Sequence, residues 1–288
     1  MFSNIKDIPY MIYEEPEFSM IEITTKIGCK VNCKYCPQNR LISEYAKRSN
    51  QEYFLMDDFK KVLNNIPTVT HIRFCGMVEP FLNPNCADMI VYAKEKGFCV
   101  DCYSTLVGLD INDVDRVLNV VDDFVLHVPD KKRNAKIDVT DEYIKVLKRV
   151  LEYKRDGIRV VNNISVHGEV DDRVRDLIPT DIVPQMWMQD RAGNLDSDDL
   201  HVLHYKVSAP MRCKFCHNRL DCNILLPNGD LVMCCMDYSM KHIFGNLFED
   251  SYEVVLNSVQ ADKVRHALID GSQETLCNSC VFAEELLC

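Results

Sequence analysis

No stretch of this chain approaches the roughly 18 consecutive apolar residues that a membrane span requires. The first residues, Met1-Phe2-Ser3-Asn4-Ile5-Lys6-Asp7, have neither a basic region nor an apolar core, so a secretory signal is missing too. Positive charge is scarce: 33 Lys and Arg against 44 Asp and Glu leave a net charge of −11. A general nucleic-acid or anionic-membrane surface needs basic stripes, so neither is expected as a partner. A small anionic substrate held by a few local arginines stays compatible with that balance. These absences point to a cytoplasmic protein.

Cysteine, by contrast, is abundant, with 15 among 288 residues. In a reducing compartment such thiols read as metal ligands and buried side chains, not disulfides. Hydrophobic residues make up 47% and charged residues 27%, ordinary for a globular protein of one large domain with or without an appendage.

Strand and helix patterns alternate along the first two thirds of the chain. Expected strands cover 20–25, 71–76, 98–106, 123–128, 159–166 and 182–189. Helices are expected from 56, over 84–96, 111–121 and 142–155, with a short one about 171–177. This alternation predicts α/β architecture built from parallel βαβ units with right-handed crossovers. Six repeats fall short of a closed eightfold barrel. Residues 1–19 read as a lead-in, 20–195 as the barrel, and 196–288 as a cysteine-rich module after the acidic break at Asp196, Asp198 and Asp199. Within that module 223–233 reads as a hairpin turning at Pro227-Asn228-Gly229-Asp230, and 252–257 and 261–269 as helices.

The first strand runs into Cys29-Lys30-Val31-Asn32-Cys33-Lys34-Tyr35-Cys36, a C-x3-C-x2-C loop short enough to turn three thiolates toward one centre. Soft thiolates favour iron–sulfur clusters, zinc or Cu(I). A closed structural zinc site wants four protein ligands, whereas a reactive centre keeps one position open. The next cysteine is Cys75, on another strand, so a zinc ribbon completed by Cys75 or a C-terminal cysteine is the alternative. With Tyr35 just before the last cysteine, the loop closely resembles that of the radical S-adenosylmethionine (AdoMet) enzymes. The resemblance implies an open (β/α)6 partial barrel with the loop at the end of its first strand. It implies that Cys29, Cys33 and Cys36 hold a [4Fe–4S] cluster whose fourth iron binds AdoMet, with Tyr35 alongside. Reductive cleavage of AdoMet would then yield a 5′-deoxyadenosyl radical that takes a substrate hydrogen, using an electron from a flavodoxin- or ferredoxin-type reductant.

Further elements fit the same family. Phe74-Cys75-Gly76-Met77-Val78-Glu79-Pro80 resembles its Gly-Gly-Glu element, implying that Gly76 and Glu79 hold the AdoMet amino group, although the second glycine is missing. Ser104 and Thr105 match AdoMet-contacting positions at the third strand's end. Arg191, in Arg191-Ala192-Gly193-Asn194, is the candidate for the AdoMet carboxylate, because a guanidinium offers a planar bidentate fork.

In the C-terminal module, Cys216, twelve residues, Gly229, four residues, Cys234 and then Cys277-x2-Cys280 resemble the twitch domain, a shorter relative of the SPASM domain. That resemblance implies one auxiliary [4Fe–4S] cluster on Cys216, Cys234, Cys277 and Cys280. Cys213 could replace Cys216, and a four-cysteine zinc site would use the same geometry.

An auxiliary cluster suggests a two-electron oxidation, as in twitch-domain dehydrogenases of aminocyclitol biosynthesis. The expected substrate is a small molecule, a sugar, aminosugar or cyclitol, undergoing dehydrogenation, epimerisation or dehydration. Only 28 residues precede Cys29, which leaves no room for a leader-recognition domain and disfavours the alternative of a peptide-modifying enzyme. Candidate acid–base groups at strand ends are His127, Tyr103 and His167. Cys235 is the candidate hydrogen-atom donor for an epimerase.

Overall fold

The computed structural model describes residues 19–155, 160–180, 182, 184–186, 188–195, 202–216 and 219–286. Five parallel strands lie side by side: β1 (Met20–Ile23), β2 (His71–Phe74), β3 (Val100–Ser104), β4 (Asp123–His127) and β5 (Val161–Ser165). Ile21, Ile72, Val100, Phe124 and Leu126 are fully buried on one face, as the period of two demands. Glu22, Arg73, Tyr103 and His127 alternate onto the other face, which is therefore unusually polar for a parallel sheet.

Helix α1 (Gln38–Tyr45) packs Leu41 and Tyr45 in a cluster with Ile224 and Val232, while α2 (Met56–Leu63), α3 (Cys86–Glu95), α4 (Val114–Leu118) and α5 (Asp141–Arg155) cover the apolar face. In α2 the buried residues are Phe59, Val62 and Leu63, while Asp57 and Asp58 sit in its first turn. Helix α5 buries Tyr143, Val146, Leu147, Val150 and Leu151, one stripe of a 3.6-residue period. Helix α1 was not expected from the sequence, although its buried Leu41 and Tyr45 stand four apart. Helices α3 and α4 are shorter than anticipated, and the turn near 171–177 is helical only at Arg175–Leu177.

The sixth strand also differs. Gln185 makes one parallel bridge beside His167: its N–H donates to Val166 O and its carbonyl accepts from Gly168 N–H, both at 2.9 Å. Its described neighbours Pro184 and Met186 belong to no strand. The strand β6 (Met188–Gln189) that follows pairs with β7 (Val202–Leu203), away from the main sheet.

Beyond β8 (Met211–Cys213), the expected hairpin is present as β9 (Cys222–Leu225) and β10 (Asp230–Val232), followed by β11 (Ile243–Asn246). Strand β9 pairs in parallel with β1, so the sheet order is β11-β10-β9-β1-β2-β3-β4-β5. Helices α6 (Tyr252–Leu256) and α7 (Val259–Asp270) start at Ser251 and Ser258, whose hydroxyls accept from Val254 and Ala261 N–H. The chain then returns through β12 (Ala283–Glu285), antiparallel to β8. Among the described residues, no helix is long and apolar enough to cross a membrane.

At the hairpin turn Gly229 has φ +84°, and a Cβ there would stand 2.5 Å from Asn246 Oδ1 and Phe248 Cδ2. Gly229→Ala is expected to cost about 1–3 kcal/mol. Urea unfolding of the reduced protein measures this, and an unchanged midpoint would mean that the turn tolerates a side chain.

Candidate active site

A cavity of about 280 Å3 opens where β1–β5 end. One wall is the loop after β1, which turns Cys29, Cys33 and Cys36 toward it. The loop is anchored from behind: Lys34 N–H donates to Asn134 O and Lys136 N–H to Val31 O, both at 2.8 Å. Val31 is buried beneath it. Burial pushes the Cys29 thiol up and the Cys33 thiol up to about 12. They become ligands only when a positive centre stabilises their thiolates. Among the described residues, no three His, Cys, Asp or Glu side chains close on one metal ion. The three cysteines line one cavity, and soft thiolates are a donor set that fits an iron–sulfur cluster.

The second wall is the β2–β3 side. Burial raises Glu79 to about 6, against the pull of its hydrogen bonds. Its Oε1 accepts from Ser104 Oγ at 2.7 Å and Phe81 N–H at 3.4 Å. Its Oε2 accepts from Thr105 N–H at 2.6 Å and Thr105 Oγ1 at 2.7 Å. Glu79, Ser104 and Thr105 are thus one unit, and the carboxylate's acceptor positions are already filled. The Glu79 N–H also donates to Cys29 Sγ at 3.5 Å, tying this wall to the loop. Gly76 is required by packing: with φ +41°, a Cβ would stand 2.5 Å from Thr24 Oγ1 and 2.7 Å from Ile23 O.

Arg191 closes the cavity from the side of β6. The turn is strained, with Arg191 and Ala192 at φ +52° and +53°. Asn194 holds it by donating to Arg191 O and Met236 O. Arg191 Nε donates to Tyr35 O at 3.3 Å. No carboxylate among the described residues lies within ion-pair distance of this guanidinium. It is a cation at a cavity wall with its Nη groups free for an incoming anion.

The remaining wall is aromatic. Tyr35 hydroxyl lies 3.1 Å from His127 Nε2, and His127 Nδ1 lies 3.0 Å from Ser165 Oγ. The Tyr35 ring packs on His167 with centroids 4.0 Å apart. Burial lowers His127 to about 4 and His167 to about 3, so both imidazoles are neutral at pH 7. His127 uses both nitrogens within the chain, whereas His167 Nδ1 is buried without a partner. Tyr103 also lines the cavity, but its ring lies under the Arg73 guanidinium, 4.5 Å away. Burial pushes its hydroxyl well up, so it donates at neutral pH.

Cys235 does not line this cavity. It packs against the apolar cluster containing Ile224 and Val232, and burial raises its thiol to about 12. Tyr238, three residues on, does line it and pairs with Cys36 Sγ at 3.3 Å. Gln38 Nε2 donates to the same sulfur at 3.2 Å. Sequence reading missed both, because neither residue belongs to a spaced motif.

The C-terminal cysteines gather behind Tyr238. Cys234 lies within electrostatic reach of Cys277 and Cys280. At Cys277 and Cys280 it is the charge of Cys213 that is felt, since β8 pairs Cys213 with Ala283. Cys216 instead contacts Cys213 and Cys222. Cys288, His201 and His217 lie outside the described residues.

Two measurements follow from this geometry. In protein whose Cys29, Cys33 and Cys36 are all alanine, about four irons should remain per chain. Cys213→Ser should lose them more completely than Cys216→Ser, and the reverse ranking would return the ligand role to Cys216. Glu79→Gln replaces an acceptor by an amide N–H facing another donor, and should cost about 1–3 kcal/mol in urea unfolding. An unaltered midpoint would show that the clamp contributes nothing to stability.

Residues 213–281 match the SPASM family, an iron–sulfur cluster-binding domain. Comparison with curated proteins returns no match. Among solved structures the chain is similar to BtrN in complex with AdoMet and 2-DOIA, at 16% identity, TM-score 0.58, over 90% of this chain and 89% of that one. It is similar to Streptococcus suis SuiB bound to precursor peptide SuiA, at 12% identity, TM-score 0.53, over 91% and 69% of the chains. A third likeness is to anSMEcpe with bound AdoMet, at 11% identity, TM-score 0.51, over 92% and 86%. At such identities these structures speak for the fold, while the matched domain speaks for iron–sulfur binding. Residues 213–281 thus belong to the SPASM iron–sulfur cluster-binding domains, and they follow a partial-barrel fold that the chain shares with BtrN, SuiB and anSMEcpe.

Proposed function

We propose that this chain is a radical AdoMet enzyme and that it acts on a hydroxylated small molecule, a sugar, aminosugar or cyclitol, at a carbinol carbon. Dehydrogenation is the favoured outcome, with epimerisation and dehydration as variants of the same hydrogen abstraction. The observation that carries this reading is the convergence on one cavity of three thiols, an uncompensated arginine and an unpartnered neutral imidazole. When bound there, the cluster and AdoMet supply a carbon radical strong enough to remove a hydrogen atom from an unactivated C–H bond.

The chain's own residues do the rest. Cys29, Cys33 and Cys36 hold the cluster, and Arg191 orients the AdoMet carboxylate through its free guanidinium edge. The Glu79–Ser104–Thr105 unit fixes the opposite wall, where a rotated Thr105 hydroxyl frees one carboxylate lone pair for the AdoMet amino group. His167 accepts a hydrogen bond from the substrate hydroxyl, and Tyr35 with Ser165 keeps His127 in place as a second, internally satisfied imidazole. Tyr103 contributes a donor to the floor. We assign 20–195 to the barrel and 196–288 to the auxiliary-cluster module, with Cys234, Cys277, Cys280 and either Cys213 or Cys216 as ligands. Those ligands would hold a cluster able to accept the electron left on the substrate after hydrogen abstraction. A low-potential flavodoxin- or ferredoxin-type protein would supply the electron that AdoMet cleavage consumes, and the reduced thiols suit the cytoplasm.

Peptide modification is the second reading, supported by the similarity to SuiB with its bound precursor peptide. Reduced enzyme incubated anaerobically with cyclitols, aminosugars, nucleotide sugars or peptides separates the two by the rate of 5′-deoxyadenosine formation. A polyol should stimulate it about tenfold or more over uncoupled cleavage, and His167→Phe should abolish that stimulation while leaving uncoupled cleavage intact. Stimulation by peptides alone would replace the polyol reading.

A further inference from the structure

Residues 26–40 and 131–137 hold eight of the chain's 33 Lys and Arg and none of its 44 Asp and Glu. The fold lays these two stretches edge to edge through the two backbone hydrogen bonds that join Lys34 to Asn134 and Lys136 to Val31. Along the loop the side chains alternate. Cys29, Val31, Cys33 and Tyr35 face the cavity, while Lys30, Asn32 and Lys34 are exposed. On the adjoining segment Lys131, Lys132, Arg133 and Lys136 are exposed as well. Lys131 pairs with Asp172 at 3.0 Å and Arg133 with Asp138 at 2.6 Å. Lys30, Lys34, Lys132 and Lys136 have no carboxylate within ion-pair distance among the described residues.

We propose that this face is the docking surface for an acidic one-electron carrier of the flavodoxin class, which reduces the cluster through the loop behind it. The inference rests on the reading of Cys29, Cys33 and Cys36 as cluster ligands. Two observations carry it. The whole chain is at −11, so an acidic partner is repelled by most of its surface and drawn to a patch where positive charge is left unpaired. That patch is the outer side of the same loop whose inner side bears the three thiols, so one layer of backbone separates a docked carrier from the cluster. In the transfer, an anionic flavin hydroquinone loses one electron to become the neutral semiquinone, and the cluster would gain that electron.

The test follows oxidation of flavodoxin hydroquinone in stopped flow on mixing with the reconstituted full-length enzyme, at low and raised ionic strength. Calorimetry gives the binding of oxidised flavodoxin separately. The quadruple variant K30E/K34E/K132E/K136E should bind and react about tenfold more weakly at low salt and lose its salt dependence. The variant K61E/K145E/K148E/K263E changes the net charge equally at exposed lysines elsewhere, and should stay within about twofold of the parent. Equal behaviour of the two variants, slowed or not, overturns the docking surface. Dithionite serves as the small reductant that needs no docking. If it fails to reduce a cluster in the parent protein, the cluster reading falls and this inference falls with it. If it reduces all three proteins alike, the effect on flavodoxin belongs to the surface.

Discussion

The parallel pairing of β9 with β1 is the constraint on which the geometry of both cysteine sites depends. An edge strand of a parallel sheet leaves a row of backbone donors and acceptors unpaired. Here Met20 N–H donates to Asp221 O at 2.8 Å and Thr24 N–H to Leu225 O at 2.9 Å, so the C-terminal hairpin satisfies that edge. Asn223, fully buried on β9, anchors the strand: its amide donates to Leu220 O and Met233 O and accepts from Tyr252 hydroxyl, each at 2.9 Å. The segment after β10 therefore arrives over the β1 loop in a fixed register. It brings Tyr238 to Cys36 and Met236 O to Asn194, so main-chain hydrogen bonds, not a linker, set the relation of the two thiol clusters.

The polar face of the sheet adds a second constraint. Buried charges must be paired. Below the cavity this holds: Arg73 meets Asp101 at 3.1 Å and Glu22 at 3.8 Å while stacking on Tyr103. That layer is electrostatically closed and forms a floor. One level higher Arg191 has no carboxylate at ion-pair distance among the described residues, although Glu22 in the floor feels its charge.

Much of this was legible from residue spacing, and the limits are instructive. The βαβ succession follows from alternating periodicities, and the hairpin follows from Pro227-Asn228-Gly229-Asp230. Gly76, Glu79, Ser104 and Thr105 fall on one wall, as a shared strand-end layer requires. The sixth strand misled because apolar content alone does not reveal that, among the described residues of 182–189, the main sheet is met by a single bridge at Gln185. Cys235 looked available because it neighbours Cys234, but it packs with Ile224 and Val232 and does not line the cavity. Tyr238 was invisible because a tertiary contact between distant segments brings it to Cys36, and Gln38, two residues on from Cys36, belongs to no spaced motif. The basic face was hidden for the same reason, since residues 26–40 and 131–137 merge only when the β4–α5 connection lies along the loop.

The neutral imidazoles and Arg191 form one electrostatic system. His167 is depressed first by burial, then by His127 and by Arg191. A carboxylate bound to Arg191 cancels the last of these influences and reduces the cost of protonating His167. Burial, the first of these influences, is untouched by such an anion, so His167 stays a neutral imidazole beside a charged guanidinium.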